Sequence, residues 1–351
     1  MNQEVIHAWL TILRYEWLLL SRNMLYRIFS IICIIITFFF VLTQLFDWDG
    51  RMWELASLPS LTAYAITHYF VPVQNIMALF LTAEILKRDN RYDSQTVLYV
   101  HPVGNITWIL AKLGAVTLKL ALLNAILLFI GFLFDLLQPD LPTIGIVYLY
   151  YFILISIPSL LFTITLAAAL ILFTGQQAIS LVLILGCMAM DMIYANRFSF
   201  PWFDYMGYHL PLLYTPVAGF AHLPHLLIQR SIYIIAAFSL LLFSAAYYKR
   251  LPNNRNSKCL NLAGATGLGL ISIAISIGVF YSIETTKNER LAMVELNNRH
   301  ISAPRLEVTH YDLDIEQQGS SLFVKAKLKG IGKDGENDYL FTLNPGFRVI
   351  K

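Results

Sequence analysis

The sequence predicts an all-α polytopic membrane protein of about seven transmembrane helices with a small C-terminal extracytoplasmic antiparallel β region. Three observations carry that prediction. Of 351 residues, 57% are hydrophobic and only 13% charged, where soluble domains carry roughly 25% charge. Apolar runs near the roughly 17 to 25 residues of a helical span recur along the chain. The charges also divide unevenly, with 20 in the 68 positions from 284 to 351 and 27 in the first 283. So few charges cannot solvate a compact surface of this size, which excludes a soluble enzyme. The net charge of +3 is unclustered and excludes a nucleic-acid footprint. Cys33 and Cys187 lie in apolar runs and Cys259 in a basic loop, a pattern that implies no disulfide framework.

Residues 1–27 carry Glu4, Arg14, Glu16, Arg22 and Arg27 before the first apolar run, and no small-residue cleavage site follows, so the first span is retained. Within them Trp9, Leu10, Leu13, Trp17, Leu18 and Leu20 fall largely on one helical face, which predicts a helix lying in the cytoplasmic interface. The alternative is an extended start of the first span.

The spans are predicted at 28–46, 61–86, 109–134, 144–172, 178–194, 231–248 and 262–283. With a cytoplasmic N-terminus, the inner segments hold Arg14, Arg22, Arg27, Lys87, Arg88, Arg91, Lys249, Arg250, Arg255 and Lys258, and the outer loops only Arg51, Arg197 and Arg230. That bias orients the chain with its N-terminus inside and its C-terminus outside. The first six spans, 28–248, form one body; 249–261 is a basic cytoplasmic loop before the seventh.

Between the fifth and sixth spans, residues 195–230 are apolar but punctuated by Pro201, Pro211, Pro216 and Pro224 and by His209, His222 and His225. Prolines at that density break a spanning helix. The expectation is a re-entrant pair of short helices, with an ordinary interfacial loop as the alternative. Beyond Ile283 the period changes. Leu322, Val324, Ala326 and Leu328 alternate with Phe323, Lys325, Lys327 and Lys329, a strand with one buried face. Leu306 and Val308, then Tyr311, Leu313 and Ile315, alternate with a one-residue slip that predicts a bulge. Tyr339 to Leu343 reads as a further strand, and residues 284–351 as the opening of a larger β-domain.

Catalytic signatures are missing from the sequence. Gly330-Ile331-Gly332-Lys333 lacks the spacing and hydroxyl of a phosphate loop, and no H-E-x-x-H exists. His222 and His225 lack a third ligand, so no metal site is assigned. Ionisable and amide residues inside spans are functional candidates: His68, Gln74 and Asn75 on the second span, Lys119 and Asn124 on the third. Lys119 faces either a pathway or an internal partner, Gln74 or Asn75. Glu84 and Lys112 near the inner boundary read as a structural ion pair or as snorkelling side chains. Asp191 lies near the outer end of the fifth span, within reach of water.

The loop after the second span runs from Glu84 through Lys87, Arg88, Asp89, Arg91, Asp93, Leu98, His101, Pro102 and Val103 to Lys112. An acidic residue closing a span, an Arg-Asp-rich stretch, a short amphipathic helix, Pro-Val, and a Lys ten residues after the Pro: this order resembles the permease subunits of type-2 ABC transporters. The interfacial helix and the Pro-broken segment add to the resemblance, which covers about 7 to 250. It implies that loop 87–108 is a coupling helix docking into a separate ATP-binding cassette subunit, with Arg88, Asp89, Arg91, Asp93, His101 and Pro102 at the contact. It further implies a second permease subunit, identical or different, with the pathway between the two. ATP and Mg²⁺ would then be bound by the partner, none by this chain. The family's setting is a bacterial-type inner membrane, with lipid around the spans and no nucleic acid. Without the resemblance, the loop's charges read as topology markers.

The seventh span and β region resemble a branch in which the permease continues into an external domain similar to the start of a gluzincin aminopeptidase. The resemblance rests on Tyr311 to Ile315 and the Leu-Asn-Pro-Gly turn from Leu343 to Gly346. No peptidase motif is carried over, so the chain is expected not to be an enzyme by itself. The function expected is an ATP-driven permease, an exporter. The alternatives are an ATP-driven mechanical anchor for an external domain, and an ion-coupled secondary transporter, for which internal repeats of broken helices are not seen.

Overall fold

The computed structural model describes residues 3–46, 61–91, 103–137, 143–194, 204–210, 213–215, 219–220, 223–248, 255–301, 307–318, 321–332, 339 and 341. They are predominantly helical, and the chain divides into two compact units, Met1–Gly278 and Val279–Lys351.

In the first unit α1 (Gln3–Arg22) and α2 (Met24–Phe46) are separate helices. The break is Asn23, whose side-chain oxygen accepts the Tyr26 N–H at 3.2 Å, the bond of a helix N-cap. The N-terminal segment is therefore a helix of its own and not an extension of the first span. Next come α3 (Leu61–Arg91) and α4 (Asn105–Leu137). Then α5 (Gly145–Tyr151) runs through a π-helical turn, Phe152–Ser156, into α6 (Ile157–Thr174). Pro158 accounts for the π turn. It has no N–H for the Leu154 carbonyl and its ring crowds that position, so the ladder widens and the Ile157 N–H bonds Phe152 O. At the far end Gly175, with φ +66, closes α6 through a bond to Ile171 O, a left-handed cap glycine accepts without strain.

Among the described residues, six helices are long and apolar enough to cross a membrane: Met24–Thr43, Leu61–Arg88, Asn105–Leu137, Gly145–Thr174, Leu223–Tyr247 and Arg255–Arg299. The remaining predicted span, 178–194, is the helix α7 (Gln177–Tyr194), apolar but shorter. Helix α8 (Leu223–Tyr247) starts earlier than the predicted 231 because Pro224 falls in its first turn, where no N–H is needed. The two short helices expected within 195–230 are not found among the described residues. Residues 204–210 are bends, and β1 (Tyr214–Thr215) pairs antiparallel with β2 (Gly219–Phe220). His222, Pro201, Pro211 and Pro216 lie outside the described residues.

Helices α3, α4, α6 and α8 make the centre of the bundle, with α1 against α4. Apolar packing forms two cores. One contains Leu20, Leu81, Ile85, Ile109, Leu113 and Leu160, at the end of α3 nearest α1; the other contains Ile66, Phe70, Leu127, Tyr151 and Ile155 at the opposite end. Helix α2 exposes Ile28, Ile31, Ile32, Ile35, Ile36 and Phe39, the surface of a helix solvated by lipid.

The last helix, α9 (Arg255–Arg299), is 45 residues long, so residues 255–261 of the predicted loop and 284–299 of the predicted β region are helical. The charges from Glu284 onward had suggested the end of a span; they end its apolar stretch and leave the helix unbroken. In the second unit, β3 (Glu307–Gln318) pairs antiparallel with β4 (Ser321–Ile331). The register shifts between Val308 and His310, the bulge that the slip in alternation predicts. Tyr311, Leu313 and Ile315 stand opposite Leu328, Ala326 and Val324, while Asp312 and Asp314 oppose Lys327 and Lys325. The apolar face is exposed among the described residues, whereas a buried face was expected. The strand expected over Tyr339–Leu343 falls largely outside the described residues.

Candidate functional site: a charged node, a polar belt and an anchored segment

The packed face of α1 shares Trp9, Leu13 and Leu20 with the apolar face but is rotated from it toward Glu16. Leu10 and Leu18 are about half exposed, while Glu16 is 2% exposed. Its position follows from helical spacing: Trp9, Ile12, Leu13, Glu16 and Leu20 recur every three or four residues. Glu16 Oε1 accepts from Lys112 Nζ at 2.7 Å, and Glu16 Oε2 from Arg88 Nη2. Lys112 is 1% exposed and lies 5.5 Å from the Trp108 ring. Three elements thus meet at one carboxylate: α1, the end of α3 and the first turns of α4.

This replaces the expected Glu84–Lys112 pair. Glu84 points out of the bundle and accepts from Asn23 Nδ2 at 2.6 Å, fastening the α1–α2 break to α3. Burial decides between the two carboxylates. A buried ammonium needs a desolvated partner, and the exposed Glu84 is already satisfied by water and Asn23. Of the other residues assigned to coupling, α3 carries the backbone through Asp89 to Arg91. Their side chains, and Asp93, His101 and Pro102, lie outside the described residues.

Lys119, about two turns further along α4, bonds neither Gln74 nor Asn75. Its ammonium sits 4.0 Å from the Trp17 ring centroid and 5.4 Å from that of Tyr26, and is held by π faces. It faces α1 and α2.

The amides are elsewhere. Gln74 and Asn75 sit at the middle of the apolar stretch Leu61–Arg88, about 20 Å from either end at 1.5 Å per residue. Asn124 Nδ2 donates to Gln74 Oε1 at 3.1 Å, and Asn75 Nδ2 to Ser159 Oγ at 2.6 Å. All four residues are fully buried. They form a belt between the two apolar cores, inside one chain. Of the pathway candidates, His68 lines a pocket, with Tyr64, Thr67, Val71, Pro72, Ile155, Met206, Gly207 and Tyr208. Its ring stacks on Tyr208 at 4.0 Å and on Tyr64 at 5.4 Å.

The segment 204–210 forms one wall of that pocket and is fixed by a charged cluster that composition and spacing did not reveal. Arg230, counted as an outer-loop charge, lies inside α8 at 2% exposure. Its guanidinium donates to Asp204 O at 2.7 Å and Tyr205 O at 3.0 Å. The Asp204 carboxylate accepts the Tyr208 and His209 N–H groups at 2.6 and 2.9 Å. Asp191, expected within reach of water, is 2% exposed and accepts from Met206 N at 3.3 Å. Gly207 takes φ +76, and a Cβ there would meet Arg230 Nη1 at 3.2 Å. The available signal was the grouping of Asp191, Asp204 and Arg230 around a broken apolar segment, since ions at such depth need partners.

The cluster and the node mark opposite ends of α3. Near the pocket end, Tyr148 also donates to Asp135 at 2.5 Å. Among the described residues no three His, Cys, Asp or Glu side chains are grouped to hold a metal ion. Comparison with known proteins finds no family model that matches this chain and no curated protein with significant similarity.

Proposed function

We propose that this chain is the membrane-spanning permease subunit of an ATP-driven ABC transporter, an exporter. In this reading it works with a separate ATP-binding cassette subunit, which binds ATP and Mg²⁺ and hydrolyses the nucleotide, and with a second permease subunit. It sits in a bacterial-type inner membrane with its N-terminus cytoplasmic and its C-terminus extracytoplasmic, and α7 counts as a seventh crossing.

The observation that supports this reading is the Glu16 node. Arg88 stands at the threshold of the loop proposed to dock on the partner, and Glu16 ties it to both α1 and Lys112 of α4. A force applied to that loop would reach two spans and the N-terminal helix through charge-assisted bonds, that of Lys112 buried and that of Arg88 partly so. Contiguous contacts of this kind are the physical route by which a displaced loop can move both helices.

The test is co-purification in mild detergent with identification of bound subunits, followed by charge reversal of Asp89, Arg91 and Asp93 together, leaving Arg88 to Glu16. The expected result is an ATPase partner, whose nucleotide hydrolysis becomes uncoupled from transport in the variant. Unchanged coupled transport, or transport that follows an ion gradient without nucleotide, refutes the proposal.

A further inference from the structure

Helix α9 continues well past the end of its apolar stretch. From Glu284 to Arg299 it runs on as unbroken helix, ~24 Å at 1.5 Å per residue. Every residue from Thr285 to His300 is exposed. A lone helix of that length is marginal in water. The ion pairs of Glu284 with Lys287 and of Glu295 with Arg299 lie within the helix and are largely solvated, so they add little.

The exposed residues of this extension are aligned. Phe280, Glu284, Lys287, Leu291, Val294 and Asn298 follow one another at alternating steps of four and three. Ile273 and Ile277 begin the same steps within the apolar stretch, and Ile301 ends them in the turn that closes the helix. A seam with this 3.5-residue period is narrower than the stripe a helix lays on a broad core. It is the seam of a coiled coil. Lipid accounts for exposed apolar side chains before Glu284. It does not account for Leu291, Val294 and Ile301, which are 56%, 55% and 67% exposed in a stretch that also carries Lys287, Glu289, Arg290, Glu295 and Arg299.

Charge selects the occupant. In heptad notation Glu284, Leu291 and Asn298 are a residues, and Phe280, Lys287 and Val294 are d residues. Arg290 is then at g and Glu295 at the e position five residues on, the two positions whose opposite charges pair across a parallel two-stranded coil. Two copies of α9 would form that pair twice. The same register brings Glu284 of one copy beside Lys287 of the other. It also sets Asn298 against Asn298, a polar a layer of the kind that fixes register and strand number at a cost in stability. Two copies of a membrane-crossing helix inserted the same way are parallel, which is the orientation this charge pattern fits.

We propose that α9 is a dimerisation element, its seam from Ile273 to Ile301 packing in parallel against the same seam of a second copy of this chain. The dimer needs α9 to cross the membrane and does not depend on the transport reading. Under that reading it makes the second permease subunit a copy of this chain. Met293 and Leu296, at c and f, are exposed but lie off the seam.

Cysteine cross-linking of the full chain in native membranes tests this. Cys187→Ser with Cys259→Ser removes the exposed thiols and leaves the buried Cys33. Leu291→Cys, Val294→Cys, Met293→Cys and Leu296→Cys are added singly, two differently tagged forms are co-expressed, and copper phenanthroline is the oxidant. The expected result is a disulfide-linked dimer containing both tags, in several-fold higher yield from positions 291 and 294 than from 293 and 296. Equal yields at all four positions, no dimer from 291 and 294, or a product joining them to a different protein overturns the proposal. Arg290→Glu should lower the yield from Val294→Cys several-fold, and Glu295→Arg added to it should restore the yield. A yield indifferent to Arg290→Glu also overturns it. None of these readouts involves nucleotide, so a missing ATPase partner and a missing dimer are told apart.

Discussion

Neutralising Glu16 tests the node most directly. Lys112 Nζ is 2.7 Å from Glu16 Oε1, with side-chain exposures of 1% and 3%, so neither ion can recover hydration if its partner is removed. Breaking a buried pair of this kind costs about 3–5 kcal/mol. Arg88, at 26% side-chain exposure, stays in contact with solvent and contributes a small part of that cost. Glu16→Gln keeps an acceptor for Lys112 and belongs at the low end, about 3 kcal/mol, or roughly a hundred-fold in the folding equilibrium. Lys112→Met strands the carboxylate instead, with Arg88 as partial compensation. The assay is denaturant unfolding in detergent followed by the fluorescence of Trp17 and Trp108, run as a double-mutant cycle over Glu16→Gln and Lys112→Met. A coupling energy below about 0.5 kcal/mol, the scatter expected of independent sites, refutes the assignment. The apolar pair Glu16→Leu with Lys112→Met should recover stability, since buried ion pairs are often replaceable by packed hydrophobic groups. Under the proposed function it should still transport poorly, because Arg88 would have lost its tie to α1.

Other positions respond in distinct ways. Arg230→Met should leave the Tyr205 carbonyl unpaired at about 1–3 kcal/mol and the Asp204 carbonyl with Gln229 Nε2 alone, seen as new protease sensitivity within residues 204–210, and Arg230→Lys should rescue it only partly. Gly207→Ala forces a Cβ into a left-handed φ against Arg230 and Ile155; it should cost about 1–3 kcal/mol and loosen the same segment. Lys119→Met should lose about 0.5–2 kcal/mol of cation–π attraction and change Trp17 emission, and under the proposed function it should retain transport. A collapse of transport at wild-type stability would instead give Lys119 a pathway role. Asp135→Asn should weaken its bond with Tyr148 by about 1 kcal/mol, read as a lower thermal midpoint.

Six of the seven predicted spans, the separate N-terminal helix and the hairpin bulge were legible because each leaves a periodic trace. What could not be read was which side of a span faces protein. In water an apolar stripe marks the core, but lipid is as apolar as leucine, so the sign of the pattern weakens or inverts. Thus Ile31, Ile35 and Phe39 are exposed while Thr37, Gln74, Asn75 and Ser159 are buried. Grouping α1 by its tryptophans and leucines led away from Glu16 for the same reason. Arg230 and Asp191 were misplaced because charge near a span end normally marks the water boundary, and here both are buried against residues 204–206. The helical stretch 284–299 was hidden by its charges, which end lipid solvation but do not disfavour a helix. Asp89 to Pro102 carry the resemblance to permeases and remain an argument from sequence order.

Pro72 in α3 and the Pro158-driven π turn between α5 and α6 lie beside the same pocket, and each replaces a regular ladder bond with a weaker arrangement. Two neighbouring helices are therefore segmented at one level, while toward the Glu16 node both continue as plain α-helix. A bend imposed on the bundle is therefore expected at these two joints, where the Gly207 segment and the stacked rings of His68 and Tyr208 would be the first contacts to part.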